Sequence, residues 1–239
     1  MRIGILNTAE SKSPEMRARF GRYANLFREK ILGDEFKSIQ FDVLSNELPS
    51  FANECDGYLI TGSDAAVYDQ LSWINPLKAF VRTAADAQVP LVGICFGHQL
   101  IADALGGRVV KSSKGFGIGL HVYDVANVQP WMDKVSTVSM LVFHEDQVVT
   151  PPQQTKVILS SSFTPFAGLT YIQAPIISFQ AHPEFSSEYI DALLGLPDTP
   201  KLPQELLDKA LTSINKPNDN ARVVSWIRRF LKRSIPSKG

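Results

Sequence analysis

The chain has only two cysteines, Cys55 and Cys95, in 239 residues. That excludes the disulfide framework of a small secreted scaffold. Histidine is almost as scarce, at four. The one short acid–histidine run, His144-Glu145-Asp146, has no partner ligands at a recognisable spacing, so no metal is expected. Charge of one sign is lacking too, since 24 Lys and Arg balance 24 Asp and Glu. Such a chain has no net field to draw it to nucleic acid or to an anionic membrane, and neither is an expected partner. The terminal cluster Arg228, Arg229, Lys232 and Arg233 reads as the solvated face of a closing helix. No apolar run reaches the roughly 18 residues that span a bilayer. The start of the chain lacks the apolar length and the small-residue cleavage site of a signal peptide, so a reducing cytoplasm is the expected compartment. There is no internal repeat, no low-complexity tract and no linker. There is also no G-x-x-x-x-G-K phosphate loop, and Gly115-Phe116-Gly117-Ile118-Gly119 lacks dinucleotide spacing, so no cofactor is expected. One large domain with a substantial core suits the length.

What is present is alternation. Residues 2–6 form a short apolar run that reads as a buried strand. Residues 14–32 carry Phe20, Tyr23, Ala24, Phe27 and Ile31 at three- and four-residue steps, which predicts one helix with an apolar face. Residues 36–44 alternate as a second strand. Residues 57–60 form a third, broken by Thr61-Gly62-Ser63-Asp64. Residues 73–87 read as a helix and 91–94 as a fourth, nearly unbroken apolar strand. Apolar strands alternating with helices mark a parallel sheet covered on both faces, so the first half is a doubly wound α/β unit. The second half offers strands at 107–111, 118–125, 139–143, 156–161, 167–171 and 176–180, several of them expected as antiparallel additions to the sheet edge. Residues 196–203 hold three of the fifteen prolines and read as a loop. Helices at 204–214 and 220–234 close the chain.

The fourth strand runs into Gly93-Ile94-Cys95-Phe96-Gly97-His98-Gln99, followed by an apolar helix at 100–105. A nucleophile with glycine two residues before and two after, between strand and helix, is the nucleophile-elbow pattern. The turn is tight and strained, so bulk at Gly93 or Gly97 would collide. The thiol then sits at a helix N-terminus, where unpaired amides and the helix dipole favour the thiolate. The Phe96 N–H is placed to donate to an oxyanion. Cys55, between Glu54 and Asp56, has acidic neighbours that disfavour a thiolate and reads as a packing residue.

A thiolate needs a base, and the base needs an orienting group. Gln180-Ala181-His182-Pro183-Glu184-Phe185 follows the apolar strand at 176–180. In an extended chain His182 and Glu184 share one side, so imidazole and carboxylate come from one short segment. Parallel strands ending at one sheet edge would bring this pair to Cys95. Ile60-Thr61-Gly62-Ser63 also lies at a strand's carboxyl end, and Gly62 and Ser63 are candidates for the second oxyanion N–H.

Taken together, Gly-Ile-Cys-Phe-Gly-His-Gln, the later His-Pro-Glu and the earlier Thr-Gly-Ser resemble the class I (triad) glutamine amidotransferase family, over about residues 2–189. The resemblance implies a flavodoxin-like three-layer α/β sandwich with a mostly parallel sheet. It implies a family domain over residues 1–195, with 196–239 as a helical extension packed on it. It implies Cys95 as nucleophile, His182 as general acid/base and Glu184 as its orienter. Gln99 matches the position that contacts bound glutamine. Gly62 and Phe96, with Ser63, match the oxyanion and pocket loops. The segment 143–146, with Glu145, resembles the strand-loop whose backbone grips the substrate amino acid. Gly117 stands where many relatives carry a carboxylate. The implied activity is hydrolysis of a small-molecule γ-glutamyl amide, first of all glutamine, through a γ-glutamyl thioester. A synthase acting in trans is the candidate recipient of the ammonia, because too few residues follow the triad for a second catalytic domain. A γ-glutamyl peptidase and a non-catalytic binding subunit are the alternatives.

Overall fold

The structure is a computed structural model and describes residues 1–197 and 202–235. Its frame is a nine-stranded sheet in the order β2-β1-β3-β4-β11-β10-β9-β6-β7. The first five positions are parallel: β2 (Lys37–Asp42), β1 (Arg2–Asn7), β3 (Gly57–Ile60), β4 (Leu91–Ile94) and β11 (Ile176–Phe179). This is the flavodoxin-type order. The rest is antiparallel: β10 (Gly168–Tyr171), β9 (Thr155–Ser160), β6 (Gly117–Val125) and β7 (Thr137–His144).

Period-two side-chain alternation divides each parallel strand between two cores. Ile3, Ile5, Leu59, Val92, Ile94, Ile177 and Phe179 enter one cluster, which also holds Tyr23, Phe27 and Ile31 and, near the chain end, Val223, Trp226 and Ile227. Leu6, Tyr58, Ile60, Leu91 and Ile176 enter the other. There they meet Leu77, Phe80 and Val81 of α3 (Ile74–Asp86) and Leu100 and Ile101 of α4 (Phe96–Ala104). Helices therefore cover both faces, giving three layers.

The helix expected at 14–32 is in pieces. Ser13 caps α1 (Pro14–Phe20) by accepting from the Met16 N–H, with Pro14 at the first turn. Gly21, at φ +80°, stops it. The chain restarts as α2 (Tyr23–Leu26) and widens into a π-helical turn at Phe27–Leu32. The apolar periodicity still holds, because Tyr23, Ala24, Phe27 and Ile31 are all buried. The strand expected at 36–44 ends at Asp42, and Val43–Ser45 turns as a short 3₁₀ segment.

The segment at 107–111 does not extend the main sheet. As β5 (Arg108–Lys111) it forms a separate antiparallel ribbon with β8 (Asp146–Thr150). β8 escapes sequence reading because Asp-Gln-Val-Val-Thr does not alternate. α5 (Ser187–Leu194) was also not expected, although Ser186 caps it and Tyr189, Ile190 and Leu193 give it a buried stripe. α6 (Gln204–Ile214) and α7 (Asn220–Ser234) fall at the expected bounds. Ser213 of α6 accepts from the Leu120 N–H of β6 at 3.0 Å. Arg228 of α7 donates to the Ile31 carbonyl at 2.6 Å and pairs with Glu35 at 3.0 Å. Residues 198–201 of the expected proline-rich loop lie outside the described residues. Among the described residues no helix is long and apolar enough to cross a membrane.

Candidate active site

β3, β4 and β11 are adjacent and parallel, so their carboxyl ends deliver Gly62, Cys95 and His182 side by side. Cys95 sits between β4 and α4 at φ +53°, ψ −103°, a backbone conformation that costs a side-chain-bearing residue free energy. Both neighbouring strands hold it there. The Cys95 N–H donates to the Phe179 carbonyl at 2.8 Å, and the Gly97 N–H donates to the Thr61 carbonyl at 3.2 Å. A Cβ at Gly93 would lie 2.5 Å from the Gly97 carbonyl oxygen, and one at Gly97 would lie 2.4 Å from that of Ile60. The helix expected from residue 100 begins at Phe96, so the motif itself forms the first turn. The first amides of a helix, that of Phe96 among them here, have no intrahelical acceptor, and Gly97's is taken by the Thr61 carbonyl.

His182 and Glu184 do meet, but through a turn and not an extended segment: the Phe185 N–H donates to the His182 carbonyl at 3.2 Å. His182 Nδ1 and Glu184 Oε1 are 2.6 Å apart, with both residues 3 % exposed. This bond fixes the tautomer, leaving Nε2 on the opposite side of the ring, where it is buried without a hydrogen-bond partner. Phe185 stacks flat on the imidazole at 4.0 Å between centroids. Asn220 of α7 donates to the carbonyls of His182 and Phe185 at 3.2 and 2.9 Å, so the closing helix clamps the turn. Burial alone would lower the imidazole pKa, but the Glu184 carboxylate, followed by the Cys95 sulfur, outweighs it and holds the ring above the ordinary histidine range.

Gly62 shows how close these groups are. A Cβ built there would lie 3.2 Å from His182 Cε1, 3.7 Å from Cys95 Cβ and 2.6 Å from the Tyr23 hydroxyl. The loop is pinned from β1's end, where Thr8 Oγ1 donates to the Gly62 carbonyl at 2.9 Å and the Thr8 N–H donates to Thr61 Oγ1 at 2.9 Å. Ser63 makes a local turn, its Oγ accepting from the Ala65 N–H at 3.2 Å.

Gln180 is a residue the sequence reading passed over. Its amide nitrogen donates to Cys95 Sγ at 3.7 Å. Gln99 sets that orientation by donating to Gln180 Oε1 at 3.2 Å and to the Asp146 carbonyl at 2.8 Å. Both Gln99 amide hydrogens are thus engaged, leaving its oxygen for any other contact. No local pattern marks Gln180, because its orientation is set by Gln99 on another element. Glu145 is engaged at the β5–β8 ribbon, pairing with Lys111 at 3.0 Å while its carbonyl accepts from the Ser112 N–H. At Gly117 a Cβ would lie 2.7 Å from Phe163 Cε1 and 3.0 Å from His144 Nε2, so those rings fill the space beside it. Burial holds His144 and His98 near 3, so both rings are neutral. Among the described residues no three His, Cys, Asp or Glu side chains gather to hold a metal ion.

Residues 30–194 match the family model of the class-I glutamine amidotransferases. γ-Glutamyl peptidase 2 of Arabidopsis thaliana is 29% identical over 94% of this chain and 93% of its own length. The glutamine-hydrolysing GMP synthase of Streptococcus mutans is 26% identical over 73% of this chain but only 31% of its own. Among solved structures, a glutamine amidotransferase from Methylobacillus flagellatus superposes with a TM-score of 0.76 at 20% identity, covering 100% of this chain and 96% of that one.

Proposed function

The chain belongs to the class-I glutamine amidotransferase family, and from that premise we propose that it hydrolyses a γ-glutamyl amide, glutamine in the first instance, with Cys95 as nucleophile. The observation that carries this reading is the strained Cys95 turn set beside a buried imidazole that Glu184 holds at 2.6 Å. The Cys95 thiolate attacks the γ-carbonyl carbon, and the charge moving onto oxygen is met by backbone N–H groups at Phe96 and Gly62. The carbon–nitrogen bond breaks as His182 gives its proton to the departing ammonia, leaving a γ-glutamyl thioester. Neutral His182 then takes a proton from water, the hydroxide attacks the thioester, the carbon–sulfur bond breaks, and glutamate leaves with the thiolate restored. Gln180 holds the sulfur between attacks.

A second reading, a γ-glutamyl peptide as substrate, is favoured by one specific observation. Two relatives that each cover 94% of this chain are named γ-glutamyl peptidases, while another, from Schizosaccharomyces pombe and covering 96%, is named a glutamine amidotransferase-like protein. Steady-state release of glutamate from glutamine and from a γ-glutamyl dipeptide separates the two. Turnover of the dipeptide alone supports the second reading. Failure of a glutamine-analogue diazoketone to label Cys95 in the folded protein overturns both and favours a non-catalytic binding subunit.

A further inference from the structure

The carboxyl edge of the sheet has a concavity bordered by Tyr23. It is a crevice of about 360 Å³ between the ends of β1 and β2 and the start of α2. Asn7 and Asp42 end these strands in register with each other and line the crevice. Asn7 is 2 % exposed, and its Oδ1 is buried without a hydrogen-bond partner. Asp42 accepts from Ser45 Oγ at 2.9 Å through Oδ2, while its Oδ1 is likewise buried and unpartnered. Folded proteins pair the large majority of their buried side-chain acceptors. Two of them side by side at the carboxyl edge of a doubly wound sheet, where such folds bind ligands, mark a place that receives N–H donors.

The charge around them narrows the donor. Glu10, Glu47 and Asp42 line the crevice against one cation, Arg22. Three carboxylates facing one guanidinium favour a cationic donor, and a primary ammonium brings three N–H groups to the waiting oxygens. Arg22 matches a carboxylate on the same molecule. We propose that this crevice is a second ligand site, for a small compound of amino-acid type that places its ammonium on Asn7 and Asp42. Tyr23 is the shared wall: it lines the crevice, and its hydroxyl lies beside Gly62.

The test is a titration of the ¹⁵N-labelled full chain with glycine, and with N-acetylglycine and acetate as probes that lack the ammonium. Glycine should shift the Asn7 side-chain amide and the Ala24 backbone amide saturably, and the other two should not. Asp42→Asn should weaken glycine at least tenfold. Glu10→Gln with Glu47→Gln, both exposed, should weaken it several-fold, which settles the matter if Asp42→Asn does not fold. Absence of saturable shifts, or equal glycine affinity in these variants, overturns the site. This arm is independent of the reading of Cys95. The ammonium has two sources, a free amino acid or the amine cut from a γ-glutamyl substrate. Glycine inhibition of γ-glutamylglycine turnover that Asp42→Asn abolishes assigns the second; glycine binding without inhibition assigns the first, and both keep the site.

Discussion

The two cysteines sit at opposite edges of one parallel sheet. Cys55 precedes β3 at the amino edge, and Cys95 follows its neighbour β4 at the carboxyl edge. Both are free thiols and nearly equally buried, at 3 % and 6 % exposure. Burial therefore says nothing about which one reacts. The backbone does: Cys95 is at φ +53° at the head of α4, between the Phe179 and Thr61 carbonyls. Cys55 packs among Leu6, Tyr58 and Phe80, its N–H donating to the Tyr58 hydroxyl at 3.0 Å, and burial pushes its thiol up. In a doubly wound sheet the helix N-termini and their free amides gather at the carboxyl edge, which makes that edge the place for an anion and the other edge a place for packing.

Replacing Cys95 is the sharpest way to break the contrast. Cys95→Ala should lower turnover of glutamine at least about 10³-fold while leaving thermal stability within about 1 kcal/mol, because the elbow is held by backbone contacts that the substitution spares. A large fall in Tm with residual turnover would make Cys95 a second packing residue. Next in size is the elbow itself. Gly97→Ala puts a carbon 2.4 Å from the Ile60 carbonyl oxygen, and the helix head must move. That should cost about 3 kcal/mol, or roughly 6–12 °C in Tm for a chain of this size, together with most of the activity. A normal melting curve would mean the turn is looser than its contacts.

Glu184→Gln acts one step further out and should lower kcat by about 10²-fold, less than loss of the His182 imidazole. Since the folded ring's pKa is raised, its proton contributes stability that is full below an unfolded histidine's value of about 6.5 and is lost as pH rises through the folded value. The variant's stability deficit should therefore be largest on the acid side of that window and narrow as pH rises. The alkaline limb of its rate profile should move to lower pH. An unchanged profile would remove Glu184 from the group.

The placement of Cys95 at the carboxyl edge was readable because it depends on local pattern. Glycines around Cys95 report backbone clashes, and apolar runs at 57–60 and 91–94 report strands buried on both faces. The closing helices fall at the expected 204–214 and 220–234. What escaped depends on distant partners. β8 is a strand because β5 lies beside it. Gln180 aims at the sulfur because Gln99, on another element, holds its oxygen. Asn220 clamps the His182 turn from across the fold. Gly117 tells only that no side chain fits; that His144 and Phe163 fill the space is a tertiary fact.

Gln180→Met tests the weakest link at the active edge. Removing the donor 3.7 Å from Sγ should cost about tenfold in kcat/KM and slow alkylation of Cys95 by iodoacetamide at neutral pH, with the stability little changed. Unaltered alkylation would make the contact one of packing only. At the other edge, Cys55→Ser should leave kcat within about twofold and lower stability by about 1 kcal/mol, the cost of placing a hydroxyl among apolar side chains. Thiol counting joins the two edges in one measurement. Because Cys95 alone sits at a helix head, while the Cys55 thiol is held up, brief alkylation of the native protein at neutral pH should modify one cysteine. That count should stay at one in Cys55→Ser and fall to none in Cys95→Ala. Two reactive thiols in the native chain would mean that the amino edge opens to solvent, and that the difference between the edges lies in access and not in backbone geometry.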